Sequence, residues 1–135
     1  MKDFKKQRFA VVGVSENPDK FGHKIFRDLL KAGYNVYGVN PKGGELFDQK
    51  IYPTLKDISA KPDLVITIVL PAVTEKIIDE AEALGIKTIW MQPGSESEAA
   101  VKKAKNYKMN IVNGACFMVT HGVWLTEKGF YTTRK

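Results

Sequence analysis

Arg8-Phe9-Ala10-Val11-Val12-Gly13-Val14-Ser15-Glu16-Asn17-Pro18-Asp19-Lys20-Phe21-Gly22 is an apolar strand that runs into a small polar loop and then into a helix. Beyond Gly22, the residues Ile25, Phe26, Leu29 and Leu30 recur at helical spacing, and Gly33 is placed to end the helix. A strand, a loop with room for an anion and a helix make the opening unit of a nucleotide-binding α/β fold.

The alternation continues along the chain. Asn35 to Asn40 reads as a second strand, followed by the turn-rich Pro41-Lys42-Gly43-Gly44 and a loop through Tyr52-Pro53. Thr54 is placed to cap a short helix over Leu55 to Ile58, with Asp57 answering the cap. Asp63 to Leu70 is a nearly continuous β-branched run, too apolar for a one-sided strand, so it belongs at the centre of a sheet covered on both faces. Val73, Ile77, Ile78, Ala81 and Leu84 then follow helical spacing up to Gly85, and Thr88 to Met91 is a fourth strand. Ser95 with Glu98 forms a capping-box pattern for a helix through Tyr107, and Met109 to Val112 is the fifth strand. Five strands alternating with four helices specify an α/β, Rossmann-like, doubly wound parallel sheet with helices on both faces. The expected strand order is three-two-one-four-five, within a single domain spanning residues 1–135.

Composition bounds the function. The chain has 135 residues, 44% of them hydrophobic and 27% charged, enough for one core without disulfides or metals. A lone cysteine, Cys116, excludes an internal disulfide framework and fits a reducing cytoplasm. The charged N-terminus precedes only a short apolar strand, so neither a signal peptide nor a membrane span is expected. The formal charge is +6, but the 21 basic residues are mostly lysines interleaved with Glu and Asp, which reads as a solvated surface and not as a nucleic-acid stripe. The surplus still favours small anionic ligands.

In such sheets the ligand lies at the carboxyl ends of the strands, where the strand order reverses. Five loops should meet there: Gly13 to Phe21, Asn40 to Gly44, Leu70 to Val73, Gln92 to Ser95 and Asn113 to Cys116. A dinucleotide fingerprint in the first loop would need glycine at Gly13, Ser15 and Pro18, and only the first is met. The second strand ends in Asn40, Pro41 and the cation Lys42, where NAD sites place an acid for a free ribose diol. Lys42 therefore asks for a phosphorylated ribose, which leaves open NADP, as in a reductase, and coenzyme A.

Val12 to Ser15, Val39-Asn40-Pro41-Lys42, Leu70-Pro71-Ala72, Trp90-Met91-Gln92-Pro93-Gly94 and a cysteine after strand five, in register over Phe9 to Cys116, resemble the small CoA-binding proteins. These are similar to the CoA-binding domain of the succinyl-CoA synthetase α subunit. The resemblance implies that coenzyme A is the ligand, with Gly13, Val14, Ser15 and Lys20 on its phosphates and Asn40, Pro41 and Lys42 around the ribose phosphate. It further implies Val69, Pro71, Ala72 and Val73 along the adenine and Gln92, Pro93 and Gly94 beside the pantetheine arm. Asn113-Gly114-Ala115-Cys116 departs from the Asp-Arg-Cys type of ending common in that family.

Each residue also has a plainer role. Gly13 and Ser15 suit a strand-to-helix turn, Lys42 an exposed turn charge, Pro71 a helix start and Gln92-Pro93-Gly94 a simple turn. Cys116, with no His-acid pattern nearby, reads as a buried small hydrophobe and not a nucleophile. His23 is expected in the first helical turn, facing either a phosphate or solvent. No residue is assigned to catalysis, His121 included. The tail from Phe117 to Lys135 is unusually apolar, with Trp124, Leu125, Phe130 and Tyr131, and is expected to pack over the sheet edge, a second copy of the chain or another protein. A CoA carrier or sensor is the expected role.

Overall fold

The computed structural model describes residues 4–124. In chain order these form β1 (Arg8–Val12), α1 (Phe21–Lys31), β2 (Asn35–Val39), β3 (Glu45–Leu46), β4 (Gln49–Tyr52), β5 (Leu64–Thr67), α2 (Pro71–Ala83), β6 (Thr88–Met91), α3 (Glu98–Asn106), β7 (Asn110–Val112) and α4 (Phe117–Thr120). One sheet orders its strands β3-β4-β2-β1-β5-β6-β7. All neighbours are parallel except β3, which returns antiparallel on β4. The fold is the expected α/β, Rossmann-like sheet with helices on both faces.

The two faces follow from the period of two along each strand. Phe9 and Val11 of β1, with Leu64 and Ile66 of β5, pack with Ile25, Phe26 and Leu29 of α1 on one side. Ala10, Val12 and Val65 pack with Ile77, Ile78 and Ala81 of α2 and Ala100 and Ala104 of α3 on the other. All four residues of β5 are buried, as a strand covered on both faces requires.

Three expectations are corrected. The segment taken as a loop contains β3 and β4, so the sheet has seven strands and not five. Its pattern is weak because Gln49 and Lys50 are exposed and only Ile51 is buried, as befits a short strand near an edge. Leu64–Thr67, expected third and beyond β2, instead pairs with β1 through Phe9↔Leu64 to Val12↔Thr67. With β4 counted as the third strand, the parallel strands run three-two-one-four-five-six.

Second, α3 is capped by Ser97, whose hydroxyl accepts from the Ala100 N–H at 3.0 Å. Ser95 is instead buried, 2.9 Å from the Thr67 hydroxyl and donating within 2.8 Å of the Gln92 carbonyl. Pairing inside the core outweighed the capping pattern. The other capping box is present: Thr54 and Asp57 bond reciprocally around a short 3-10 turn, Leu55–Asp57.

Third, Lys20, Lys24, Arg27 and Lys31 follow one another at helical spacing along α1, a basic row that the interleaved composition hides. Arg27 pairs with the buried Asp28 at 2.7 Å.

The tail folds back where it is described. Phe117 sets its ring edge-on to Phe9 at 5.3 Å and to Trp90 at 5.0 Å, and Val123 and Trp124 are buried on the α1 face of the sheet. Leu125, Phe130 and Tyr131 lie outside the described residues. Among the described residues no helix is long and apolar enough to cross a membrane.

Candidate functional site

β1 and β5 are neighbours, yet α1 leaves β1 over one face and α2 leaves β5 over the other. Their carboxyl ends therefore mark the switch point, where ligands bind in open α/β sheets. The packing there is backbone on backbone. Gly13 has φ 111°, and a Cβ there would run into the Ile68 carbonyl. A Cβ on Gly22, the second residue of α1, would run into the Gly13 carbonyl. Gly22 therefore supplies the close helix packing that the dinucleotide fingerprint assigns to position 18, displaced because this loop is longer. The sequence reading missed it, although a glycine so early in a helix, where it costs stability, was a usable signal.

Polar side chains shape the first loop. The Ser15 hydroxyl accepts from the Asn17 N–H at 3.0 Å, and the Asn17 side-chain carbonyl accepts from the Asp19 N–H at 2.9 Å. His23 does not face solvent: it is 9% exposed, and its Nδ1 lies 2.9 Å from the Ser15 carbonyl. Since a carbonyl only accepts, Nδ1 carries the proton. In a trans peptide the N–H opposes the C=O, so the Glu16 N–H points away from His23. The Ser15 hydroxyl keeps its own proton to donate.

The helix termini differ in what they offer an anion. At the start of α1, Lys20 makes no side-chain cap and no acidic residue stands in the first turn. At the start of α2, Leu70 cannot cap, and Pro71 occupies the first turn. α3 is closed by Ser97 and carries Glu98 in its first turn. The uncapped N–H groups and positive dipole ends therefore belong to α1 and α2, the two helices that flank the switch point.

The second loop is tied to the first. Asn40 donates its amide to the Val14 carbonyl at 2.6 Å and accepts from the Lys42 N–H at 2.9 Å. Beside this bridge lies a cavity of about 350 Å³. It is lined by Val14, Glu16 and Asn17 of the first loop, Asn40, Lys42 and Gly43 after β2, and Glu45, Leu46 and Ile51 of the β3–β4 hairpin. Val14, Asn40 and Lys42 thus come together as the expected site residues, whereas Gly13, Ser15, Lys20 and Pro41 stand outside the lining.

A second depression, about 320 Å³, joins Val69 to Pro93 and Gly94, with Ile68, Leu70 and Ser95 completing it. Pro71, Ala72 and Val73 form the first turn of α2. Leu70 is 74% exposed and Val73 40%, so they make an apolar ledge beside the depression. Gln92 is spent inside the protein. Its amide donates to Cys116 Sγ at 3.2 Å and its side-chain carbonyl accepts from the Phe117 N–H at 2.7 Å, which ties β6 to the segment after β7. Cys116 is buried.

His121 stacks at 4.5 Å on the Phe117 ring and meets Trp90 edge-on at 5.6 Å. Partial desolvation against these rings lowers its pKa from the ordinary imidazole value, although the residue stays exposed on one side.

Residues 7–122 match the family described as a CoA binding domain. YneT of Bacillus subtilis, an uncharacterized protein, is 31% identical over 121 residues, which are 87% of each chain. The ADP-forming acetate–CoA ligase of Methanocaldococcus jannaschii is 30% identical over 122 residues, 83% of this chain but 17% of the ligase. The structure of a conserved hypothetical protein from Pyrococcus furiosus superposes with a TM-score of 0.81 at 34% identity, covering 84% of this chain and 98% of that one. Because the match runs from the residue before β1 through every strand and past α4, the chain belongs to the CoA-binding domain family.

Proposed function

We propose that this chain binds coenzyme A or an acyl-CoA across the carboxyl edge of its sheet, as a carrier or sensor in the cytoplasm with no reaction of its own. The observation that carries the reading is the placement of Lys42: a cation just after β2, lining a cavity beside the Asn40 bridge to the first loop. That position suits a phosphorylated ribose and not the free diol of NAD. The diphosphate would lie over the first loop, between the uncapped starts of α1 and α2, within reach of the Ser15 hydroxyl, the Glu16 N–H and Lys20. Val69, Leu70, Val73, Pro93 and Gly94 supply apolar surface for the adenine and the pantetheine arm. The ligase relative uses CoA by name, and 30% identity over 83% of this chain supports the same ligand here.

On this reading the 135 residues act as one binding domain. A thermal-shift titration with CoA, acetyl-CoA, dephospho-CoA, NADH and NADPH tests the ligand class, since a ligand that binds only the folded state raises its stability. A shift with CoA that shrinks without the 3′-phosphate is expected. A shift with NADPH and none with CoA would replace this reading with a reductase.

A further inference from the structure

The β3–β4 hairpin forms one wall of the cavity over Lys42, and its tip is built against local preference. Leu46 and Gln49 pair across a two-residue turn whose central residues, Phe47 and Asp48, have φ 54° and 61°. Positive φ at both positions is the type I′ pattern, which selects Asn, Asp or Gly. A phenylalanine there is strained by about 1–3 kcal/mol and persists only where its surroundings hold it. They do so here. The Phe47 ring sits 5.0 Å from the His23 ring, edge to face, and 6.3 Å from Phe26. His23 in turn holds at 2.9 Å the carbonyl of Ser15, which lies in the chain between the lining residues Val14 and Glu16.

We propose that Phe47 is a positioning residue: clamped on His23, it locks the Glu45–Leu46 wall against the first loop and keeps the nucleoside end of the site preformed. The inference rests on the CoA reading above. The cavity it controls is lined by the cation Lys42, the amides Asn17 and Asn40, the acids Glu16 and Glu45 and the apolar Val14, Leu46 and Ile51. This donor set fits a phosphorylated sugar whose hydroxyls donate to carboxylates. A wall that is already in place spares the ligand the cost of ordering it, and that saving appears as affinity.

The test compares wild type with Phe47→Gly, Phe47→Tyr and Asp48→Gly by calorimetric titration. Glycine accepts positive φ without strain, so Phe47→Gly removes the clamp while keeping the turn. It is expected to weaken CoA about fivefold or more and to leave 4′-phosphopantetheine, which has no nucleoside to reach this wall, within about twofold. Phe47→Tyr and Asp48→Gly keep the ring and should keep the affinity. Hydrogen exchange reads the same clamp in the free protein. The Ile51 N–H, bonded to the Gly44 carbonyl at 2.9 Å, should exchange faster in Phe47→Gly. Wild type that binds CoA, with Phe47→Gly matching it in affinity and in exchange, would overturn the positioning role alone. Wild type that takes no CoA would overturn the underlying reading together with it.

Discussion

The Asn40 amide donates to the Val14 carbonyl at 2.6 Å, and this one bond joins the loop after β2 to the loop after β1. The same side chain accepts from the Lys42 N–H, so the cation's backbone is fixed by the residue that bridges the loops. Position 40 therefore links fold to site. Asn40→Ala leaves the half-buried Val14 carbonyl without this donor and the Lys42 N–H without its acceptor. Stability should fall by about 1–3 kcal/mol, and CoA affinity should fall with it. Urea unfolding and a CoA titration on the same variant check both effects.

Lys42 separates charge from packing. Lys42 is exposed and lines the cavity, and Lys42→Ala removes its charge without touching the core. CoA should weaken about tenfold, equivalent to about 1.4 kcal/mol, while dephospho-CoA stays within about twofold. Equal weakening of both ligands would show that Lys42 does not meet the 3′-phosphate.

Gly22 and Gly33 lie at opposite ends of α1 and should respond differently to the same change. A methyl on Gly22 meets the Gly13 carbonyl, which is backbone and cannot step aside, so Gly22→Ala should cost about 2 kcal/mol or more and disturb the ligand loop. Gly33, at φ 88°, has open space around it, so Gly33→Ala should cost only about 1 kcal/mol from the backbone and leave CoA binding unchanged. Thermal midpoints with and without CoA separate the two.

His121 gives the fold a pH dependence. Burial lowers its folded-state pKa below the unfolded value of about 6.5, so the fold favours the neutral ring. Its contribution is fully present above about pH 6.5 and is lost as pH falls from there through the lowered folded-state value. Denaturant midpoints should drop on going from pH 7.5 to pH 5, and His121→Gln should flatten that drop. An unchanged slope in the variant would assign the dependence to other groups.

How far the sequence could be read depended on how much each segment buries. β1, β5 and α1 carry continuous or periodic apolar runs because both faces of the sheet are covered there, so their residues announce the fold. β4 buries only Ile51 and β3 is two residues long, so neither leaves a pattern, and the missed strand displaced Leu64–Thr67 in the expected order. The site divided along similar lines. Val14, Asn40 and Lys42 were expected from loops at strand ends, which topology fixes, and they line one cavity. Glu16, Asn17, Glu45 and Leu46 were missed because they reach the cavity through the unrecognised hairpin and through loop geometry. The family resemblance put Gln92 beside the pantetheine arm, whereas its side chain is bonded inside the protein. Its partners, Cys116 and Phe117, are far along the chain, and no local pattern points to them.

The central claim is that this sheet edge holds coenzyme A by its phosphorylated nucleoside, and isothermal titration of the wild-type protein with CoA and dephospho-CoA at one ionic strength tests it most directly. The account predicts saturable one-site binding of CoA, with dephospho-CoA about tenfold weaker. Absence of CoA binding, or equal affinity for the two ligands, would contradict it.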